Sequence, residues 1–155
     1  MDESAVSRGS VSIEVAVLAP AFVALMVLGG VAGRTAMASE ALEAAAHDAA
    51  RAASISRDAT SARDAARDAA RRQLDWRRVS CSRLPEVEFS GSVDGRSTTF
   101  DEAFRSSVGQ DAAVTVEITC LVSYQDIKIS ALRMPDGNRV TVSFTSPLDR
   151  YRSRG

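Results

Sequence analysis

Val15-Ala-Val-Leu-Ala-Pro-Ala-Phe-Val-Ala-Leu-Met-Val-Leu-Gly-Gly-Val-Ala-Gly33 carries no charged side chain. A run of that length matches the roughly 20 residues a helix needs to cross the hydrocarbon core of a bilayer, whereas core helices of soluble proteins carry shorter ones. Pro20 sits inside the run. Membrane helices tolerate an interior proline that would break a soluble helix, and a bend is expected there.

Three readings compete for this segment. Ala36-Met37-Ala38 has the small residues of a signal-peptide cleavage site. Against a signal peptide, the run exceeds the roughly 7–15 apolar residues of such segments, and the stretch before it holds Asp2 and Glu3 against Arg8. The second reading is an anchor that is never cut. The third rests on Arg8-Gly9-Ser10-Val11-Ser12-Ile13-Glu14, where a carboxylate follows a glycine by five positions at the mouth of the apolar run. An ionised glutamate at the start of a membrane helix is costly without a partner. At the interface it would instead be solvated and favour the helix N-terminus.

The glycine and glutamate resemble the cleavage site of type IV prepilins, in which a membrane peptidase cuts after the glycine. Cleavage would leave Ser10 as the new first residue and Glu14 as the fifth, although ordinary pilins begin with a large apolar residue. More widely, Gly9, Ser10, Glu14, Ala16 and Pro20 resemble the N-termini of TadE/TadG-like pilus-assembly proteins. Glu43-Ala-Ala-Ala-His-Asp-Ala-Ala-Arg-Ala-Ala53 is similar to that family's alanine-arginine helix, and Pro147-Leu-Asp-Arg-Tyr-Arg152 is similar to its tail. The resemblance implies a pseudopilin whose partners are the membrane, other pilin-like subunits, pilus-assembly proteins and a prepilin-type peptidase. It also implies that Glu14 meets a partner charge during assembly, while Pro20 shapes the helix that assembles.

Beyond Arg34 the chain turns amphipathic. Leu42, Ala45, Ala46, Ala49 and Ala53 recur at spacings of three and four, with Glu43, His47 and Arg51 on another face. This stretch is either a solvated spacer or a surface for close helix packing. Ser54-Ile-Ser56 interrupts the pattern, and Ser61 with Asp64 is expected to cap a second helix reaching about Trp76. Asp64 and Arg67 are spaced for a helical ion pair. Trp76, surrounded by arginines, is expected to plug this helix against a sheet.

From Pro85 the period changes to two. Val87, Phe89 and Val93 alternate with polar residues, Asp94-Gly95 marks a tight turn, and Arg96–Phe100 is expected to return as a strand. Val114–Tyr124 is the clearest strand, with Val114, Val116, Ile118, Cys120 and Val122 facing inward. Asp136-Gly-Asn138 leads into a further strand over Arg139–Thr145. Asp101–Gly109 reads as a short helix or a tucked loop holding Phe104 and Val108.

Cys81 and Cys120 are the two cysteines, and beyond a membrane helix they default to a disulfide. The expected fold is therefore α+β: a long N-terminal transmembrane and stalk helix, a second short helix, and a small antiparallel sheet of about four strands. The expected divisions are residues 1–9 as a leader, 10–34 as the membrane helix, 35–78 as the alanine- and arginine-rich stalk, and 79–155 as a β-rich extracytoplasmic domain. The N-terminus would face the cytoplasm across the cell membrane.

Nineteen basic residues against 20 acidic ones give a net charge of −1, which provides no electrostatic case for nucleic acid. His47 is the only histidine, and with two cysteines it does not make four metal ligands. No phosphate loop or credible nucleophile–base set is present. The expectation is no catalytic residue, no metal and no cofactor. Function then reads as a minor pilin-like component of a Tad-type pilus or secretion apparatus. The alternative is an uncleaved, single-pass adaptor whose outer domain binds a protein or cell wall.

Overall fold

The computed structural model describes residues 4–79, 81–127 and 134–151, with side chains from Val15 onward. It forms two compact units, one ending at Arg34 and one beginning at Thr35. Helix α1 spans Ser4–Ser54 and runs through Pro20 without interruption. It ends where serine hydroxyls take over its last carbonyls, Ser54 donating to Arg51 O and Ser56 to Ala52 O.

Helix α2 spans Ala59–Trp76, and its start departs from the sequence expectation. The cap is Asp58, whose carboxylate accepts from Thr60 N at 3.0 Å and Ser61 N at 2.9 Å. Ser61 donates its hydroxyl to that same aspartate rather than capping the helix itself. The Asp64–Arg67 ion pair forms at 3.7 Å on the exposed face. Trp76 does not plug the helix against the sheet, since it is 81% exposed. Ala62, Ala66, Ala70 and Leu74 are the buried side chains that recur every four residues. Trp76 stands about 200° around the helix from Leu74, at 100° per residue.

The sheet is antiparallel with strand order β2-β1-β3-β4, built from β1 (Glu86–Val93), β2 (Arg96–Thr98), β3 (Ala112–Ser123) and β4 (Gly137–Pro147). Asp94 and Gly95 both adopt positive φ, 49° and 76°, as a two-residue hairpin turn requires. Strand β2 is shorter than expected. Thr99 accepts from Glu102 N while the Glu102 carboxylate accepts from Thr99 N, a capping box that starts α3 at Phe100 (Phe100–Phe104). Phe100 and Phe104 thus enter the core from a helix, and Val108 lies 62% exposed instead of tucked. Gly91 lets α3 approach, because a Cβ there would lie 2.7 Å from the Ala103 Cβ and 2.8 Å from Thr99 O.

One face of the sheet carries the core. Val114, Val116, Ile118, Cys120 and Val122 are buried on β3. Phe144 and Ser146 lie opposite Val116 and Val114 on β4 and meet α1, where His47 stacks edge-on against Phe144 at 4.6 Å and Ser54 bonds Ser146 at 3.0 Å. Helix α2 covers the β1 side, with Arg67 over Phe89 at 5.3 Å, Arg63 over Phe100 at 5.0 Å and Arg63 paired with Asp101. The alanine ridge of α1 is therefore a core surface and not a solvated spacer: Leu42, Ala45, Ala46, Ala49, Ala50 and Ala53 are fully buried. Thr115 with Thr145 and Thr119 with Thr141 bond across the outer face.

Three carboxylates are held below their usual values of 3.8 for aspartate and 4.5 for glutamate. Asp58 is lowered by the backbone and hydroxyl of Ser61, Asp101 by its bond from Arg63, and Glu102 by the Thr98 hydroxyl and then Thr99. A depressed folded-state pKa contributes stability above the unfolded value and loses it as pH falls through the folded one. The thermal midpoint should therefore fall as pH drops from about 5 toward 2. In Asp101→Asn that acid dependence should be shallower, as a melting series across these pH values would show.

Candidate functional site

Two features of the structure bear on function: the N-terminal part of α1, and the disulfide-closed unit beginning at Thr35. Gly9, Ser10 and Glu14 fall within the α1 backbone, but their side chains lie outside the described part of the structure.

From Val15 the side chains are described, and the apolar ones are bare. Val15, Val17, Leu18, Phe22, Val23, Leu25, Met26 and Leu28 are each 46–79% exposed. Burying such a side chain is favourable by about 1.5–3 kcal/mol. Eight of them left in water would forgo an amount comparable to the whole stability of a small domain, about 5–15 kcal/mol. An apolar surface of that size marks a membrane or protein contact. Within this helix an 18-residue stretch reaches a mean hydropathy of 2.4 with none of it buried, consistent with a single membrane span. Pro20 lies in this exposed stretch.

The sequence reading passed over one signal here. Gly29 and Gly33 are four apart, and a Cβ at either would meet nothing within 4 Å. That spacing lets two membrane helices bring their backbones close together.

In the second unit Cys81 and Cys120 are bonded, with Cα atoms 5.5 Å apart. Cys120 is buried in β3, while Cys81 makes an isolated bridge to Val122 and its neighbour Ser82 donates to Leu121 O at 2.8 Å. The segment after α2 is thus tied to the central strand. A disulfide of this kind persists in oxidising compartments, which points to an extracytoplasmic domain. The tail is also fastened. Leu148 is buried and donates its N–H to Ala112 O, Gly109 donates to Arg150 O, and Arg150 pairs with Asp111 at 3.0 Å.

His47 sits beside Asp48 at 3.3 Å with its ring half-exposed and one edge on Phe144. It serves packing at the β4 border. Among the described residues no three His, Cys, Asp or Glu side chains group as metal ligands.

The family model of TadE-like proteins matches residues 9–51. No curated protein and no solved structure matches the chain. The matched segment runs from Gly9 through the exposed apolar stretch to Arg51, in the last turn of α1. Over residues 9–51 the chain is similar to TadE-like proteins, a likeness that implies a component of Tad pilus assembly.

Proposed function

We propose that the chain is a minor pilin-like membrane component of a Tad-type pilus or secretion apparatus, and that it works by helix–helix assembly. The observation that carries this reading is the overlap of the TadE-like match with an apolar helix surface that nothing else in the chain covers among the described residues. On this reading residues 10–34 span the cell membrane with the N-terminus in the cytoplasm and the disulfide-closed unit outside. Helices of neighbouring subunits meet along the apolar stretch that holds Pro20, and Glu14 faces a partner charge in the apolar layer. A prepilin-type peptidase cuts between Gly9 and Ser10.

Glu14→Gln tests the assembly step. A charged carboxylate inside a membrane helix is unfavourable by a few kcal/mol, so its neutral amide should insert at least as well. The outer domain should keep its disulfide and its melting temperature. Crosslinking to pilus-system partners, measured at matched abundance, should fall about tenfold or more, because a buried charge left without its partner costs several kcal/mol. Equal crosslinking by both proteins would refute the role of Glu14 and favour a single-pass adaptor. N-terminal sequencing reads processing separately. Ser10 at the terminus marks the pilin-like product, Met1 an uncut anchor, and Ser39 a secreted domain.

A further inference from the structure

The two borders of the sheet are open and oppositely charged. Strand β1 pairs with β3 along Glu86–Val93 but with β2 only at Gly91–Val93, so Glu86–Ser90 has no second strand beside it among the described residues. Along this stretch a groove of about 560 Å³ runs between α2 and β1, floored by Leu74, Val79 and Val87. Arg67, Arg71 and Arg83 line it against the single acid Asp75. At the opposite border, β4 pairs with β3 and, among the described residues, with no strand on its other side. A second groove of about 600 Å³ lies there between α1 and β4, lined by Glu40, Glu43 and His47 with Val142 and Phe144. On the sheet's outer face the signs are reversed. Glu86 and Glu88 are exposed on β1, and Arg139 is exposed on β4, where it lies opposite Leu121.

We propose that the folded unit associates head to tail with a second copy of this chain, the β4 border of one copy seating in the β1 border of the next. This contact is separate from the helix–helix assembly proposed above. Strands β1 and β4 each run antiparallel to β3, so within one chain they point the same way. A copy shifted sideways without rotation then sets β4 beside Glu86–Ser90 as a parallel pair. All copies keep one orientation, as anchorage in one membrane requires. Glu40 and Glu43 meet Arg71 and Arg83 over the inner face, while Arg139 meets Glu86 over the outer one. Both contacts are attractive, and the apolar floors of the two grooves close on each other. The contact joins two different surfaces, so it repeats into a row instead of closing as a two-fold dimer.

The test uses full-length protein in membranes, with two differently tagged copies and a photocrosslinking amino acid at the exposed Ser143 of β4. Wild-type copies should crosslink to one another at Leu84–Ser90. Reversing one rim, by Arg71→Glu with Arg83→Glu or by Glu40→Arg with Glu43→Arg, should lower crosslinking of each variant to itself about tenfold, since juxtaposed like charges oppose association. Mixing the two variants should restore it. An intact disulfide and unchanged melting temperature establish that each variant folds. Crosslinks mapping elsewhere, or unchanged self-crosslinking in either variant, would overturn the proposal. Loss in both variants without restoration on mixing would also overturn it, because the rims would then serve a different partner. Repeating the series with Glu14→Gln separates the two contacts: rim dependence should persist even where helix-based partner crosslinking is lost.

Discussion

Replacing both cysteines, Cys81→Ser with Cys120→Ser, should lower the unfolding free energy of the disulfide-closed unit by about 4 kcal/mol. The bond closes a loop with a sequence separation of 39. In the chain-entropy treatment a loop of that size restricts the unfolded ensemble by about 4 kcal/mol. Small domains hold about 5–15 kcal/mol in total, so the loss would take much of what is there. The location adds to the effect. Cys81 fastens the segment following α2 to β3, beside the bridge to Val122 and the Ser82 bond to Leu121. Without it, that segment and the border of the α2 groove lose their covalent tie to the central strand. Denaturant unfolding of detergent-solubilised protein, with and without reductant, measures this directly. A change below about 1 kcal/mol would mean that the unfolded chain is already restrained, or that hydrogen bonds alone hold the segment.

The elements that proved legible in the sequence are those specified by local chemistry. Val114–Val122 alternates cleanly because β3 is central and buries one face, and Asp94-Gly95 marks the β1–β2 hairpin because few other pairs accept two positive φ values. The long helix followed from hydropathy and the disulfide from compartment. The misreadings arose where two local signals competed. Thr99 continues a strand-like run, yet with Glu102 it spells a capping box, and the helix won because Phe100 and Phe104 both reach the core from it. At α2, Ser61 and Asp64 suggested a cap, whereas Asp58 stands one residue before the helix with both amides in reach. Trp76 is expected to plug the helix against the sheet, but the spacing through Ala62, Ala66 and Ala70 already selects Leu74.

Sheet order was not readable in the same way. Nothing local places β1 between β2 and β3, because the pairing of β1 with β3 bridges a gap filled by β2, α3 and a loop. The charged borders share this origin. Glu40 and Glu43 belong to one helix and Arg71 and Arg83 to segments around another. They become opposite rims only once α1 lies along β4 and α2 along β1. The expectation for Glu14 rests instead on its spacing to Gly9 along the chain, which involves no fold.

Leu42→Ala should destabilise the folded unit by about 2–5 kcal/mol, the range for truncating a buried leucine. Between Ala38 and Ala53 of α1, Leu42 is the only large apolar residue, and it is fully buried. The alanines around it bring the helix backbone close to the sheet, but each contributes only a methyl group. Most of the apolar volume that this part of α1 places in the core is therefore concentrated at one position. Neighbouring alanines have no side-chain length with which to fill the space, so the site should relax poorly and the loss should fall toward the upper end. The same change leaves the residues before Arg34 untouched, and membrane insertion should be normal. The unfolding free energy of purified protein, compared with its fractionation into membranes, separates the two effects. A loss below about 1 kcal/mol would show that α1 contributes little to the core of the sheet unit and that α2 with the disulfide sustains it. A loss in the expected range would make the matched TadE-like segment one continuous helix with two tasks. Its first half would supply the membrane surface, and its second half, through Leu42 and the alanine ridge, would anchor the sheet.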